Sequence, residues 1–555
     1  MERGTFLHRS RSHLHEYRQG ITKLFDTRSN SPGQPEIISS AKPLEEETLP
    51  KYNPESFYAV RLGEVLNDSY KIVAKLGYGM TATVWLAKNL KASLDDPRRF
   101  VTIKINVNTL SDEFFRGRRK IAEKIASANP QHPGYKRVRF MIETFKVKSR
   151  GGKEHLCVVY DVMREPIDVC MGKWTERRFN GRKLRLLLKG LLQGLDYLHS
   201  ECHIVHTDLK PDNVMMGLGN PAVLDKFAQH ELEHPSPRKV PDSHGRIIYK
   251  SCNDFGGSPD FEEMISTAKI IDLGLAESGE ENHNHAIQSN AFTAPEVLLT
   301  AGWSYPADIW NFGVMLWDLT ENMGLFDAID TRPGKYSSAQ HLGLMIALLG
   351  PPPQELLERG STTSTYFDEK GEFRKPHYIL RDQTFEYSVT NMKGEEKELF
   401  IDFAKKMICW LPEERWTARQ LLEHPFLTKE VVDCREYPEE VSDTLKLIEE
   451  FAINKKSATP MGGSPHRTPQ STTPPAFSPQ PSPEPSIKGF SISNRAHTIA
   501  HSPMDIPTDS PTAPVPRTSL PATGGLKTTR SRMSINTSNI QSQDLIDHIL
   551  GHKGT

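Results

Sequence analysis

The stretch Val205-His206-Thr207-Asp208-Leu209-Lys210-Pro211-Asp212-Asn213 gathers a carboxylate, an ammonium and an amide within nine residues. Asp208 can accept a proton from a hydroxyl, Lys210 can neutralise a phosphoryl group in transfer, and Asn213 can hold a Mg²⁺ ion. The pattern H-x-D-x-K-x-x-N points to phosphoryl transfer; the plain alternative is a polar surface loop. A second carboxylate, Asp272 in Ile270-Ile271-Asp272-Leu273-Gly274, ends an apolar strand and precedes a glycine that frees the backbone. It is the expected second Mg²⁺ ligand.

Such chemistry needs a phosphate cradle and a cation beneath it. Tyr70 to Leu76 alternates as a strand, Gly77-Tyr78-Gly79-Met80-Thr81-Ala82 reads as a turn, and Thr83 to Ala87 as the returning strand. Glycines at 77 and 79 let the backbone approach triphosphate oxygens that a Cβ would block. Ala82 stands at the third glycine of G-x-G-x-x-G, so a plain hairpin turn is the competing reading. Lys104, alone in Phe100-Val101-Thr102-Ile103-Lys104-Ile105, suits an α/β-phosphate contact, against the more ordinary fate of a solvated lysine. A carboxylate to orient it is sought on a helix within Ser111 to Ala128, which contains Glu113 and Glu123. Strands over Val138 to Val147 and His155 to Tyr160 lead into Asp161-Val162-Met163, where an adenine can meet backbone N–H and C=O groups between two lobes.

From Arg182 the period becomes helical, with Leu184, Leu187, Leu188, Leu191, Leu192, Leu195 and Leu198 on one face, ending just before the Asp208 loop. His199, Cys202, His203 and His206 lack a zinc spacing and are not read as a metal cluster. Asn213 and Asp272 stand 59 positions apart, and the Pro- and Gly-bearing stretch between them, about 216–268, is a long and partly loop-like insertion. Glu296, in Ala294-Pro295-Glu296, would be buried and needs a cation, for which Arg415 is the candidate. Asp308 opens an apolar helix and is positioned either to accept backbone N–H bonds from the Asp208 loop or simply to sit at a helix N-terminus.

Length and composition frame these motifs. The chain has 555 residues, 37% hydrophobic and 25% charged, with 40 prolines and a net charge of −1. A large core is possible, but so are long unpacked stretches, and the balanced charge speaks against a nucleic-acid-binding field. Six cysteines without a C-x-x-C pair suggest neither a zinc ribbon nor a disulfide framework. No apolar run approaches the roughly 18–20 residues that cross a bilayer, and no signal-peptide core opens the chain. An intracellular, soluble protein is expected, cytoplasmic or nuclear or both, without a membrane partner. Residues 1–57 are expected to be mostly disordered, and 431–555 to be a largely disordered Ser/Thr/Pro-rich extension. Its Ser-Pro and Thr-Pro pairs, from Ser464-Pro465 to Ser510-Pro511, suit proline-directed phosphorylation, and Arg530-Ser531-Arg532-Met533-Ser534 is a short basic serine site.

Taken in order, these pieces resemble the eukaryotic protein kinases over about 58–430, and within them the SR-protein kinases (SRPK) and their fungal relatives. Leu76-Gly77-Tyr78-Gly79 running into Thr83-Val84-Trp85-Leu86, the His206-Thr207-Asp208 form of the loop, and Asp272-Leu273-Gly274 in place of D-F-G carry the resemblance. It implies an α+β, two-lobed fold with a β-rich small lobe at 58–163 and a helical large lobe at 164–430. It also implies a Ser/Thr kinase using ATP and Mg²⁺, with Arg/Ser-rich splicing factors as typical substrates; a monomer is expected, and the lack of a basic aromatic patch leaves no direct nucleic-acid partner expected. The implied ATP site comprises Leu76, Gly77, Tyr78, Gly79, Val84, Lys104, Asp161 and Met163, with Asn213 and Asp272 on the metal, Asp208 and Lys210 catalytic, and Glu296, Asp308 and Arg415 structural. Thr207 replaces the arginine that pairs with a phosphorylated activation loop in many kinases, which implies activity without that phosphorylation.

Three departures qualify the resemblance. Arg118 falls where the family's helix glutamate pairs with the strand lysine; Glu113 and Glu123 are each five residues away, roughly 140° round the helix. Thr102 stands where a small alanine usually lines the adenine site, and Phe292-Thr293 replaces Tyr-Arg before the A-P-E motif. The competing reading is a pseudokinase scaffold that binds nucleotide or partners and transfers little.

Overall fold

The computed structural model describes residues 33–429 apart from 111, 175–176, 257–260, 327–328, 331–334 and 382. The Ser/Thr/Pro-rich extension, its phosphorylation motifs and residues 1–32 lie outside the described residues.

The small lobe is built on a six-stranded antiparallel sheet. Its strands are β1 (Val65–Leu66), β2 (Tyr70–Gly79), β3 (Ala82–Asn89), β4 (Phe100–Asn106), β5 (Met141–Lys148) and β6 (Glu154–Tyr160), in the order β1-β2-β3-β4-β6-β5. Alternation along β4 decides what each face does. Val101, Ile103 and Ile105 face a core with Ile72, Trp85 and Val159. Phe100, Thr102 and Lys104 share the other face, and Lys104 is opposed by Val84 of β3 and Val158 of β6. The lysine therefore sits under the glycine turn that joins β2 to β3.

Helix α1 (Asp112–Ser127) follows β4, and α2 (Ile167–Gly172) follows the link between the lobes. In the large lobe, α3 (Gly181–Asp196) buries the expected leucine face, with Leu184, Leu188, Leu192 and Leu195 fully shielded. Leu198 lies in the single π-turn Tyr197–Glu201 that ends it. Gly194 permits the close seat of this helix, since a Cβ there would come within 3.1 Å of Ile270 Cδ1.

The insertion is folded. Its helix α4 (Val223–Glu233) lays Leu224 and Phe227 over Ala74, Leu86 and Phe100, which covers the outer end of the sheet's Lys104 face. Further on, Tyr249 reaches the opposite face and packs edge-on against Trp85 at 5.7 Å. The segment 33–57, expected to belong to an unstructured lead-in, is packed as well. Ile37–Ile38 pairs in parallel with Arg238–Lys239 of the insertion. Glu46, 5% exposed, forms an ion pair with Lys75 of β2, itself 1% exposed, and Glu45 accepts from Ser251 Oγ at 2.6 Å. Glu46, alone of the run Glu45-Glu46-Glu47, is therefore buried by demand: a lysine inside the sheet requires a carboxylate, and the lead-in supplies it.

The large lobe holds the main core, centred on α3 and on α5 (Pro306–Glu321), whose Trp310, Phe312 and Trp317 are fully buried. No helix among the described residues is long and apolar enough to cross a membrane.

Candidate active site

Two short ribbons hold the Asp208 loop. Ile204–Val205 pairs with Glu277–Ser278, and Val214–Met215 pairs with Lys269–Ile270, so the loop at 206–213 is fixed against 271–276. Asp308, fully buried in the first turn of α5, accepts from His206 N at 2.7 Å, Thr207 N at 2.9 Å and His199 Nε2 at 2.9 Å. These bonds hold Thr207 at φ +70°, a left-handed conformation that bends the chain toward the cleft. His206 accepts from Asp208 N at Nδ1 and donates from Nε2 to Ile271 O at 2.8 Å, which assigns the neutral tautomer with its proton on Nε2. Two of the histidines set aside as zinc ligands thus act as scaffold.

The Asp208 carboxylate is oriented from three sides. Lys210 Nζ lies 2.9 Å from Oδ2, Asn213 Nδ2 donates to Oδ2 at 3.1 Å and to the Asp208 carbonyl at 2.7 Å, and Ser289 Oγ donates to Oδ1 at 2.7 Å. Lys210 also donates to Ser289 Oγ at 2.7 Å, closing a ring of charge-assisted bonds. Sequence reasoning missed Ser289. Its only signal is a hydroxyl five residues ahead of Ala294-Pro295-Glu296, and serine in a loop is too common to single out.

Asp272 adopts φ +56°, ψ +58°, and its Oδ1 stands 3.7 Å from Lys104 Nζ. Each charge stabilises the other: the Asp272 carboxyl is held below the usual range chiefly by Lys104, and the Lys104 ammonium is strengthened chiefly by Asp272. Among the described residues no helix carboxylate takes part. Glu123 is engaged by Arg119 at 2.8 Å on the exposed side of α1, and the side chain of Glu113 lies outside the described residues. Arg118, at the position expected for that carboxylate, donates from Nη1 to Ala276 O at 3.0 Å. It ties α1 to the segment that follows Asp272.

Glu296 and Arg415 form a bidentate pair, both bonds 2.7 Å, with the two side chains 1% and 0% exposed. Arg415 also lies over the Trp310 ring at 5.0 Å, which packs its guanidinium as well as neutralising it.

A cleft of about 950 Å³ runs between these groups and the glycine turn. Leu76, Gly77, Tyr78, Gly79, Val84, Lys104, Met163, Asp208, Lys210, Asn213 and Asp272 all line it. A Cβ on Gly77 or Gly79 would meet nothing within 4 Å, so the space above the turn is open to phosphates. The oxygens of Asn213 and Asp272 are the hard donors Mg²⁺ prefers. The phosphate end thus fits a nucleoside triphosphate and its metal. Asp161 is placed differently: its carboxylate faces Arg98 at 3.5 Å and Lys269 at 3.6 Å, and its carbonyl accepts from Arg139.

A hairpin bearing a phosphate turn over a lysine, facing a base, an amide and a second carboxylate on a helical lobe, defines a nucleotide-dependent phosphotransferase of the two-lobed kind. The chain belongs to the protein kinase domain family, whose model matches residues 70–227 and 260–427 and leaves out the middle of the insertion. It is 34% identical to a serine/threonine protein kinase of Aspergillus fumigatus, over 70% of this chain and 92% of that one. The serine/threonine-protein kinase SRPK of Physarum polycephalum is 29% identical, with 69% and 91% covered. Protein kinase dsk1 of Schizosaccharomyces pombe is 24% identical, with 70% and 86% covered. Among solved structures, the crystal structure of a kinase domain overlays with a TM-score of 0.51 at 20% identity, covering 68% of this chain and all of that domain. The fold and family together make this a protein serine/threonine kinase.

Proposed function

We propose that the chain transfers the γ-phosphate of ATP to serine in Arg/Ser-rich proteins. It works as a monomer of the cytoplasm, the nucleus or both. The observation that carries this reading is the ring around Asp208, which presents a carboxylate, an ammonium and a hydroxyl at hydrogen-bond distance of one another at the mouth of the cleft. Asp208 orients the substrate hydroxyl and takes its proton. Lys210 answers the charge on the phosphoryl group, Lys104 holds the phosphates, and Asn213 and Asp272 would hold Mg²⁺, which supplies further charge neutralisation when bound. Little covalent work falls to the protein; positioning and electrostatics supply the rate.

A basic substrate is supported by acids beside the loop. Lost hydration, then the charges of Asp212 and Asp168, push the Asp318 carboxyl up to about 7, and its Oδ2 is buried with no hydrogen-bond partner. Asp168, at the start of α2, is pushed up to about 6 by lost hydration and then by Asp212. Carboxyls whose charged form is disfavoured by lost hydration and then by a neighbouring acid are relieved by a cation, and an arginine of the substrate is one.

The test is transfer from labelled ATP with Mg²⁺ to an Arg/Ser-repeat peptide, beside Asp208→Ala and an acidic control peptide. Transfer to the repeat alone, lost in the variant while nucleotide still binds, is the expected result. The scaffold reading is favoured by one observation, that among the described residues Lys104 pairs with Asp272 and with no α1 carboxylate. Nucleotide-dependent thermal stabilisation with no transfer to any peptide would establish that reading instead.

A further inference from the structure

The base end of the cleft carries a cation where a nucleotide base would need an acceptor. Arg139, just ahead of β5, donates from Nη2 to Asp161 O at 2.6 Å, from Nε to the same oxygen at 3.2 Å, and from Nη1 to Met215 Sδ at 3.5 Å. Its guanidinium lies 4.8 Å from the centre of the Tyr160 ring. Among the described residues no carboxylate stands within 4 Å of it. Arg139, Thr102, Tyr160, Met163 and Met215 all line the cleft. Thr102 is 2% exposed, and its Oγ1 is buried without any hydrogen-bond partner.

These observations bear on one exocyclic position. In the link Asp161-Val162-Met163, read above as the place where an adenine can meet backbone groups, the Asp161 carbonyl already accepts two N–H groups of Arg139. An amino group arriving at that spot meets donors rather than an acceptor. A 6-oxo group meets complementary donors, because a guanidinium pairs in the plane with the O6 and N7 acceptors of guanine, whereas adenine offers N6 as a donor. The unsatisfied Thr102 hydroxyl, two residues from Lys104 on the same face of β4, adds a donor or acceptor at the same wall.

We infer that Arg139 sets the base specificity of this kinase: the cleft takes a 6-oxopurine, so GTP serves as phosphate donor on at least equal terms with ATP. This rests on the kinase reading above and widens its donor. No new bond chemistry is involved; Asp208, Lys210 and the phosphate end act alike on either nucleotide.

The experiment is calorimetric binding of ATP and of GTP, each with Mg²⁺, to the full chain and to Arg139→Gln and Arg139→Leu. Glutamine replaces the all-donor guanidinium with one donor and one acceptor, the pattern that pairs with adenine, and leucine removes the polar group. The wild type is expected to bind GTP at least as tightly as ATP, and Arg139→Gln to move the ratio tenfold or more toward ATP. An ATP preference above tenfold in the wild type, or a ratio unmoved by both variants, overturns the inference and leaves the kinase reading standing. Binding of neither nucleotide by any of the three proteins overturns both.

Discussion

At the scale of single residues, Ser289 shows how an unremarkable side chain acquires a function through geometry. It donates to Asp208 and accepts from Lys210, so it fixes both partners without reacting itself. Ser289→Ala removes a hydrogen bond to a charged group, worth about 1.5–3 kcal/mol. Steady-state kinetics should therefore show kcat lowered by about tenfold to a hundredfold, with the nucleotide KM little changed, and Ser289→Thr should recover most of the loss. Asp318 gives a prediction in pH. A carboxyl titrating near 7 in the fold and near 3.9 when unfolded binds more protons in the folded state, so stability falls as pH rises from about 4 to about 7. Asp318→Asn lacks that penalty. It should be more stable than the wild type at pH 8, by on the order of 4 kcal/mol, and the difference should close as pH falls toward 4. Thermal melts of both proteins across that range check the sign.

At the scale of elements, what was legible and what was not divides by the range of the interaction. The Asp208 loop, the strand of Lys104 and the leucine face of α3 are written in local spacing, and Glu296 with Arg415 follows from the rule that a buried charge needs its opposite. The packing of the lead-in and the insertion was not legible. Ile37–Ile38 and Arg238–Lys239 are two-residue strands about two hundred positions apart, too short for any period and paired only in space. Arg139 escaped notice for a similar reason, since nothing local reveals that its guanidinium ends on the carbonyl of Asp161. The strap that crosses the small lobe depends on the pair of Glu46 and Lys75. Glu46→Ala leaves a buried ammonium with Glu45, at 3.7 Å, as its one carboxylate among the described residues. That should cost about 3–5 kcal/mol. Melting of Glu46→Ala beside Glu46→Ala/Lys75→Met separates the lost pair from the stranded charge, because the double variant should regain most of the difference.

At the scale of the whole molecule, the segment around Asp272, residues 271–276, is where the lobes meet, and both grip it by backbone carbonyls. His206 Nε2 donates to Ile271 O and Thr207 Oγ1 to Leu275 O from the large lobe, while Arg118 Nη1 donates to Ala276 O from α1 of the small lobe. In a kinase whose loop carries arginine at the place of Thr207, a phosphorylated residue can organise this segment; here a hydroxyl bonded to a carbonyl occupies that place, and a helix arginine secures the far end. We propose on these bonds that the active arrangement needs no phosphorylation of this loop. Transfer to an Arg/Ser-repeat peptide should be unchanged, within about twofold, after exhaustive phosphatase treatment of the purified enzyme, since a charge-assisted bond of about 1.5–3 kcal/mol is already made without phosphate. Arg118→Ala should behave in the opposite way, lowering kcat because α1 loses its hold on the segment that carries Asp272, while the melting temperature moves little because the side chain is partly exposed. Abolition of transfer by phosphatase would show that the clamp is insufficient and that an added phosphate completes it.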